Sequence, residues 1–350
     1  MKPNLLSKAK RTSLLAVRFL LIGLVIAAVI AQIGLAAAVL MAHRPASTCP
    51  NSLDAIVTIP AGLSASSIGE LLFEQGLIRN ANLFNLMLRI TKSDSQLQAG
   101  EYLLNPTMST MEVIKKLNAG EIIIHRVVIP EGYDLKQIAD VLADEGLVDR
   151  ERFLLLASNA ELVFGEELPI GLPIASLEGY LFPDTYYFAK EQSEEAIIRQ
   201  MVARFVEQVI PNTDLSLLDH RYTLHEVVTL ASIVEKEVIY DFERPIVAAV
   251  YLNRLDIDMR LQADPTVRYV MTENRSRVLY RDLEIDSPYN TYRYDGLPPG
   301  PIASPGLKSI LAVLSPADVD YLFFVAKNDG THQFSRTFQE HVAARRSLGY

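Results

Sequence analysis

Cysteine is almost absent from this chain of 350 residues. Cys49 is the single one, so no intramolecular disulfide can form. That leaves an extracytoplasmic location open and rests stability on packing. The six histidines are scattered and no Cys/His cluster has metal-ligand spacing, so neither a metal nor a cofactor is expected. His225-Glu226 begins like a zinc-protease helix, but position 229 is Thr and the second histidine of His-Glu-x-x-His is missing. There is no Walker loop, no Gly-x-Gly-x-x-Gly and no Gly-x-Ser-x-Gly. Basic residues are in the minority. A net charge of -9 argues against nucleic-acid binding, which needs a basic surface to release counterions.

Apolar residues are plentiful. They make up 49% of the chain, enough for two or three domains with sizeable cores. Phe19 to Ala42 is an uncharged run of 24 residues, interrupted only by Gln32 and two glycines. At about 1.5 Å per helical residue it spans a hydrocarbon core of about 30 Å. Lys2, Lys8, Lys10, Arg11 and Arg18 precede it, which predicts residues 1–18 in the cytoplasm and everything after the 19–42 span outside. A cleaved signal peptide would have a shorter apolar region, of roughly 7–15 residues, so an uncleaved anchor is expected. Cys49 lacks the Leu-x-x-Cys setting of a lipidation site.

Residues 43–52 read as a linker rich in Pro, Ser, Thr and Asn. A repeat follows. Val57-Thr58-Ile59-Pro60-Ala61-Gly62 matches Val127-Val128-Ile129-Pro130-Glu131-Gly132. Ile68, Leu72, Gly76 and Leu77 match Ile138, Leu142, Gly146 and Leu147 at the same offset. Each copy predicts a short strand, a Pro-x-Gly turn, an amphipathic helix and a Gly stop. Helices are predicted over 110–117, 194–209 and 244–255, strands over 100–104, 121–129 and 321–326, and 331–335 follows a turn at Asn328-Asp329-Gly330. The segments 259–266, 287–292 and 297–306 are dense in Asn, Gln, Tyr, Pro and Gly. They read as shaped loops suited to ligand contact.

One helix carries the expected chemistry. From Leu224 to about Val238, at roughly 100° per residue, Leu224, Val227, Val228, Ala231, Val234 and Val238 share one side. Glu235 falls in the middle of that side, while Glu226 and Glu237 project towards the opposite one. A carboxyl set among valines loses solvation, which raises its pKa and suits a general acid. A glutamate on such a face is also often just a partner for a cation. Ser232, one turn earlier, is within reach of that carboxyl.

Leu177-Glu178-Gly179-Tyr180-Leu181-Phe182-Pro183-Asp184-Thr185, Leu230 to Glu237, Asn253-Arg254, Leu261-Gln262-Ala263-Asp264-Pro265-Thr266, Ser287-Pro288-Tyr289-Asn290-Thr291-Tyr292 and Gly296-Leu297-Pro298-Pro299-Gly300-Pro301-Ile302 occur in that order. In this the chain resembles the membrane-anchored endolytic murein transglycosylases, also called YceG-like proteins, from about Val57 to the C-terminus. The segment from Glu151 to Ala175 matches less clearly. The resemblance implies an α+β protein: a single N-terminal transmembrane helix, a small LysM-like α/β module over 53–125, and a mixed α+β catalytic domain over 126–350.

It also implies cleavage of the MurNAc–GlcNAc bond of nascent peptidoglycan strands, leaving 1,6-anhydro ends and terminating elongation. Glu235, the first glutamate of the Glu-Lys-Glu triplet, would be the catalytic acid. One carboxyl suffices because the sugar's own C6 hydroxyl is the nucleophile, whereas ordinary glycosidases use two. Gln262, Asn290 and Tyr292 are candidate glycan contacts, and Asp264 and Glu178 are further acids in polar-aromatic motifs. The alternatives are a membrane-tethered glycan-binding scaffold and a water-using muramidase with Asp264 as second carboxylate. Expected partners are glycan strands, the cytoplasmic membrane and cell-wall synthases or division proteins.

Overall fold

The computed structural model describes residues 5–49, 53–165, 168–169, 175–218, 221–272, 275 and 277–349. Parts of the expected cytoplasmic segment (1–4), of the linker (50–52) and of the segment 151–175 (166–167 and 170–174) lie outside the described residues.

The chain divides into two compact units, one of residues 1–124 with 189–191 and one of residues 125–188 with 192–350. The first unit opens with α1 (Leu5–Ala42). Its stretch Arg18–Ala42 is long and apolar enough to cross a membrane, with a mean hydropathy of 2.6. Side chains such as Phe19, Leu24 and Ile30 are largely exposed, so no protein core accounts for their apolarity. Then come β1 (Ala55–Ile59), α2 (Ala65–Glu74), α3 (Ala81–Thr91), β2 (Gly100–Leu104) and α4 (Thr110–Ala119). β1 and β2 pair antiparallel, with Val57 opposite Tyr102. Leu72, Phe84, Tyr102, Leu104 and Leu117 close the core, joined by Ala42 from the end of α1.

The second unit holds β3 (Ile124–Val128) but for Ile124, α5 (Leu135–Asp144), α6 (Arg150–Ala157), α7 (Ala160–Phe164), β4 (Thr185–Ala189) but for Ala189, and α8 (Glu194–Val209). After these come α9 (Leu224–Glu237), α10 (Arg244–Asp256), α11 (Asp264–Val270), α12 (Leu307–Leu314), β5 (Phe323–Ala326), β6 (His332–Ser335) and α13 (Phe338–Ser347). β3 pairs with β4, and β5 pairs antiparallel with β6. The mixed α+β class is as expected, built from many helices and three two-stranded sheets among the described residues.

The repeat has a structural counterpart. α2 starts and ends 70 residues before α5 (Ala65 and Leu135, Glu74 and Asp144). Gly62 and Gly132, at the turns, have φ of 78° and 77°. Only glycine takes that left-handed conformation without strain.

The helix carrying the Glu-Lys-Glu triplet is the centre of the second unit. α9 begins in a capping box: the Thr223 hydroxyl accepts from Glu226 N–H, and the Glu226 carboxylate accepts from Thr223 N–H at 2.8 Å. Every side chain from Val227 to Val234 is buried, each large aliphatic one contributing about 1.5–3 kcal/mol. α9 packs against α12, α10 and α11. Beside it Gly179 has φ of 85°, and a Cβ there would fall 2.5 Å from Cβ of Pro301. The first and last of the ordered motifs therefore meet where no side chain fits. α11 begins inside the segment 259–266 expected to be a loop and runs on past it; Pro265 occupies its first turn, where proline's missing N–H costs nothing.

Candidate active site

Three consecutive charged residues end α9, and at about 100° per residue they face three ways. Glu235 does not lie among the valines. It sits on the last turn, where that face leaves the core and meets the head of α12. Its Oε2 accepts from Gly306 N–H at 3.0 Å and Ser309 O–H at 2.8 Å, and Arg244 Nη1 stands at 3.0 Å. The Glu235 and Arg244 side chains are only 6% and 7% exposed. Arg244 also donates to Asp241 at 3.1 Å and to Ser309, and lies 3.9 Å from Glu131. Glu131 comes from the Pro-Glu-Gly turn of the second repeat copy. Burial and the neighbouring Glu235 hold its carboxyl above the ordinary range. Ser232 does not reach Glu235: it donates to Thr229 O at 2.7 Å and accepts from Ile302 N–H at 3.0 Å.

Lys236 donates to the Gly132 carbonyl at 3.0 Å, tying the repeat turn to α9. Glu237 faces a cavity of about 420 Å³. Its Oε1 accepts from Tyr251 O–H at 2.7 Å. Burial is the largest influence on this carboxyl and raises its pKa, with Asp264 adding in the same direction. Such desolvation favours the protonated form, the one a general acid needs.

Three of the residues expected at the glycan line this same cavity: Gln262, Asp264 and Tyr292. Tyr292 donates its hydroxyl to Asp264 Oδ1 at 2.6 Å. Gln262 is exposed and holds φ of 47° without being glycine, a conformation that costs energy and often marks a working position. The loop is held by cross-ties to the 287–292 motif, Gln262 N–H to Thr291 O at 3.1 Å and Ala263 N–H to Thr291 Oγ1 at 3.0 Å. Arg254 donates to the Leu322 and Leu261 carbonyls, both at 2.6 Å. Asn253 holds the Val319 and Tyr321 carbonyls. Of that Asn-Arg pair, Arg254 lines the cavity.

The other two candidates lie elsewhere. Asn290 is fully buried; its amide donates to the Leu283 and Ile285 carbonyls and its Oδ1 accepts from Tyr292 N–H. It braces the loop that presents Tyr292. Glu178 is 5% exposed and accepts from Leu135 N–H at the head of α5 and from Tyr269 O–H. Burial pushes its carboxyl up to about 8.

That shift has a measurable consequence. A folded-state pKa of about 8 against an ordinary value of 4.5 means the native state keeps a proton that the unfolded chain has released. Native stability should therefore fall as pH rises from about 4.5 to 8. The melting temperature of wild type should decline over that window, and Glu178→Gln should remove most of the slope. Parallel melting curves for the two would contradict a buried protonated Glu178.

Sequence reasoning passed over Glu237, Arg268, His332, Phe323 and Phe324, which complete the cavity. The available signal was the third residue of the triplet, on the polar side of α9. The strand residues carried no such mark. No group of three or more His, Cys, Asp or Glu side chains with metal-holding geometry occurs among the described residues.

The model of the YceG-like family matches residues 57–347. An endolytic murein transglycosylase of Bacillus subtilis is 36% identical over 303 residues, covering 83% of each chain. One of Streptococcus pneumoniae is 32% identical over 313 residues, covering 81% of this chain and 56% of that relative. A crystal structure of a yceG-like protein from Listeria monocytogenes aligns with a TM-score of 0.57 at 38% identity, over 84% of this chain and all of that one. The chain belongs to the YceG-like family.

Proposed function

We propose that this protein is an endolytic lytic transglycosylase of peptidoglycan, with Glu237 as its general acid and base. The observation that carries the assignment is the meeting of a desolvated carboxyl with Gln262, Asp264 and Tyr292 around one cavity. The relatives' activity supports the substrate class. Phe323, Phe324 and Phe338 give the lining apolar faces against which a sugar ring packs, and the polar groups orient it.

Glu237 gives its proton to the glycosidic oxygen as the C1–O bond breaks, and positive charge develops at C1. The carboxylate then takes the proton of the sugar's C6 hydroxyl as O6 bonds to C1, closing the 1,6-anhydro ring. No water is consumed, and the carboxyl is returned protonated. Asp264 in the same cavity favours one rival, a muramidase in which a second carboxylate activates water. End-group mass spectrometry separates them. Fragments ending in 1,6-anhydro-MurNAc support the lyase. Reducing ends, heavier by one water, overturn it. The family resemblance offers Glu235 as the acid instead; its hold on Arg244 favours a structural part.

The proposal extends to placement. We read α1 as an uncleaved anchor in the cytoplasmic membrane, with residues 1–18 inside, 43–52 as linker and the remainder outside. Protease added to the outer face of that membrane should remove everything beyond the linker. A mature N-terminus near residue 45 would show a cleaved leader instead. The order β1-α2-α3-β2 with antiparallel pairing supports a LysM-like, glycan-contacting module over 53–125, ahead of a catalytic domain over 126–350. Strand termination would set the protein beside cell-wall synthases or division proteins, which proximity labelling in cells would identify.

A further inference from the structure

Arg268 lines two cavities. One is that of Glu237; the other, of about 450 Å³, is walled by α5, by Arg150 and Lys236, by Pro265, Arg268, Tyr269 and Met271, and by Arg275. Five cations line this second cavity against two carboxylates, in a chain whose net charge is -9. Some of that charge is already answered. Arg150 pairs with Asp140 at 2.6 Å, and Arg275 with Asp282 at 3.0 Å. Asp134 uses its carboxylate to cap α5, accepting from Gln137 N–H at 2.8 Å.

Lys136, Lys236 and Arg268 remain. Among the described residues no carboxylate stands within ion-pairing distance of any of them, and Lys236 holds only a backbone carbonyl. A trough this cationic on an acidic protein favours an anionic ligand. Arg268 offers a planar fork that fits a carboxylate. Because Arg268 is shared, that anion would belong to the same molecule as the bond beside Glu237.

We propose that this trough binds a carboxylate of the peptide carried on the glycan strand, so that the protein selects strands whose peptides keep that carboxylate free. The inference rests on the murein reading, which supplies the strand. On a peptide-bearing strand each lactyl carboxyl is tied up as an amide, so the strand's ionised groups are those of its peptides, which end in carboxylates. A lipid-linked strand end would bring a second anion, a diphosphate.

The test uses the full chain in detergent, carrying Glu237→Gln so that binding is read without turnover. Affinity is measured for uncrosslinked strands with peptides, for the same strands with their peptide carboxylates converted to neutral amides, and for lipid-linked strands. Lys136→Glu is the probe variant. Lys136 is exposed in the first turn of α5, where a negative charge suits the helix dipole and should not unfold it. A charge-assisted contact is worth about 1.5–3 kcal/mol, so Lys136→Glu should lower the ratio of free-carboxylate to amidated affinity by about 10-fold or more. Added salt should lower it as well. An unchanged ratio overturns the proposal, and so does a loss confined to lipid-linked strands. Failure of the murein reading shows separately, as no cleavage of either strand type by the chain with Glu237 intact.

Discussion

Glu237→Gln should lower turnover on glycan strands by about 10²–10⁴-fold, the usual cost of losing general acid catalysis, and by the upper part of that range because one carboxyl serves both proton transfers. The fold should survive. Glutamine keeps the size of the side chain and an oxygen to accept from Tyr251, and it removes a carboxyl that burial already disfavours as an anion. Melting temperature should stay within a few degrees of wild type. The companion variant decides the assignment. Glu235→Gln should lose stability and keep most of its turnover per folded molecule. The reverse pattern, a dead Glu235→Gln and a Glu237→Gln retaining more than a tenth of its activity, would move the acid to Glu235.

Arg244→Met should be the most destabilising of the substitutions considered. Arg244 and Glu235 are almost wholly buried, and removing the cation leaves a carboxylate among groups that cannot replace it. Breaking such a pair typically costs about 3–5 kcal/mol. At roughly 2–4 °C per kcal/mol for a domain of this size, the melting temperature should fall by about 10 °C. Two apolar residues in place of the pair leave no orphan charge. The double variant Arg244→Met with Glu235→Met should therefore recover most of the loss, and the coupling follows from a double-mutant cycle. Additive losses would mean that Glu235 and Arg244 stabilise the protein separately.

The sequence carried the periodic elements well. The helix expected over 194–209 is α8 to the residue, because Ser193 caps it and its apolar spacing is regular. The repeat was visible because both copies need the same left-handed glycine and the same buried aliphatics. α11 was hidden because Asp264-Pro265 reads equally as a turn or as a helix start, and only the packing of Val267 decides. The site was half visible. Gln262, Asp264 and Tyr292 stood in polar loops, and those loops do converge. Glu237 was passed over for a physical reason: a helical wheel treats the apolar side as buried and the other as solvent. α9 is surrounded, so its polar side faces a cavity rather than water. Asn290 and Glu178 looked like ligand contacts because their motifs are polar and aromatic. Backbone groups that they satisfy lie far off in sequence or inside irregular loops, and no pattern announces them.

The triplet at the end of α9 bears on what changes this family can tolerate. Glu235 is held in a buried charge network, Lys236 borders the cationic trough and Glu237 enters the cavity. Inserting or deleting a single residue within the preceding turns would rotate all three by about 100°. Each would then occupy its neighbour's place: an ammonium opposite Arg244, or a carboxylate facing the trough. The stretch from Leu224 to Glu237 is thus a segment of fixed length, open to exchange of side chains but closed to gain or loss of a position.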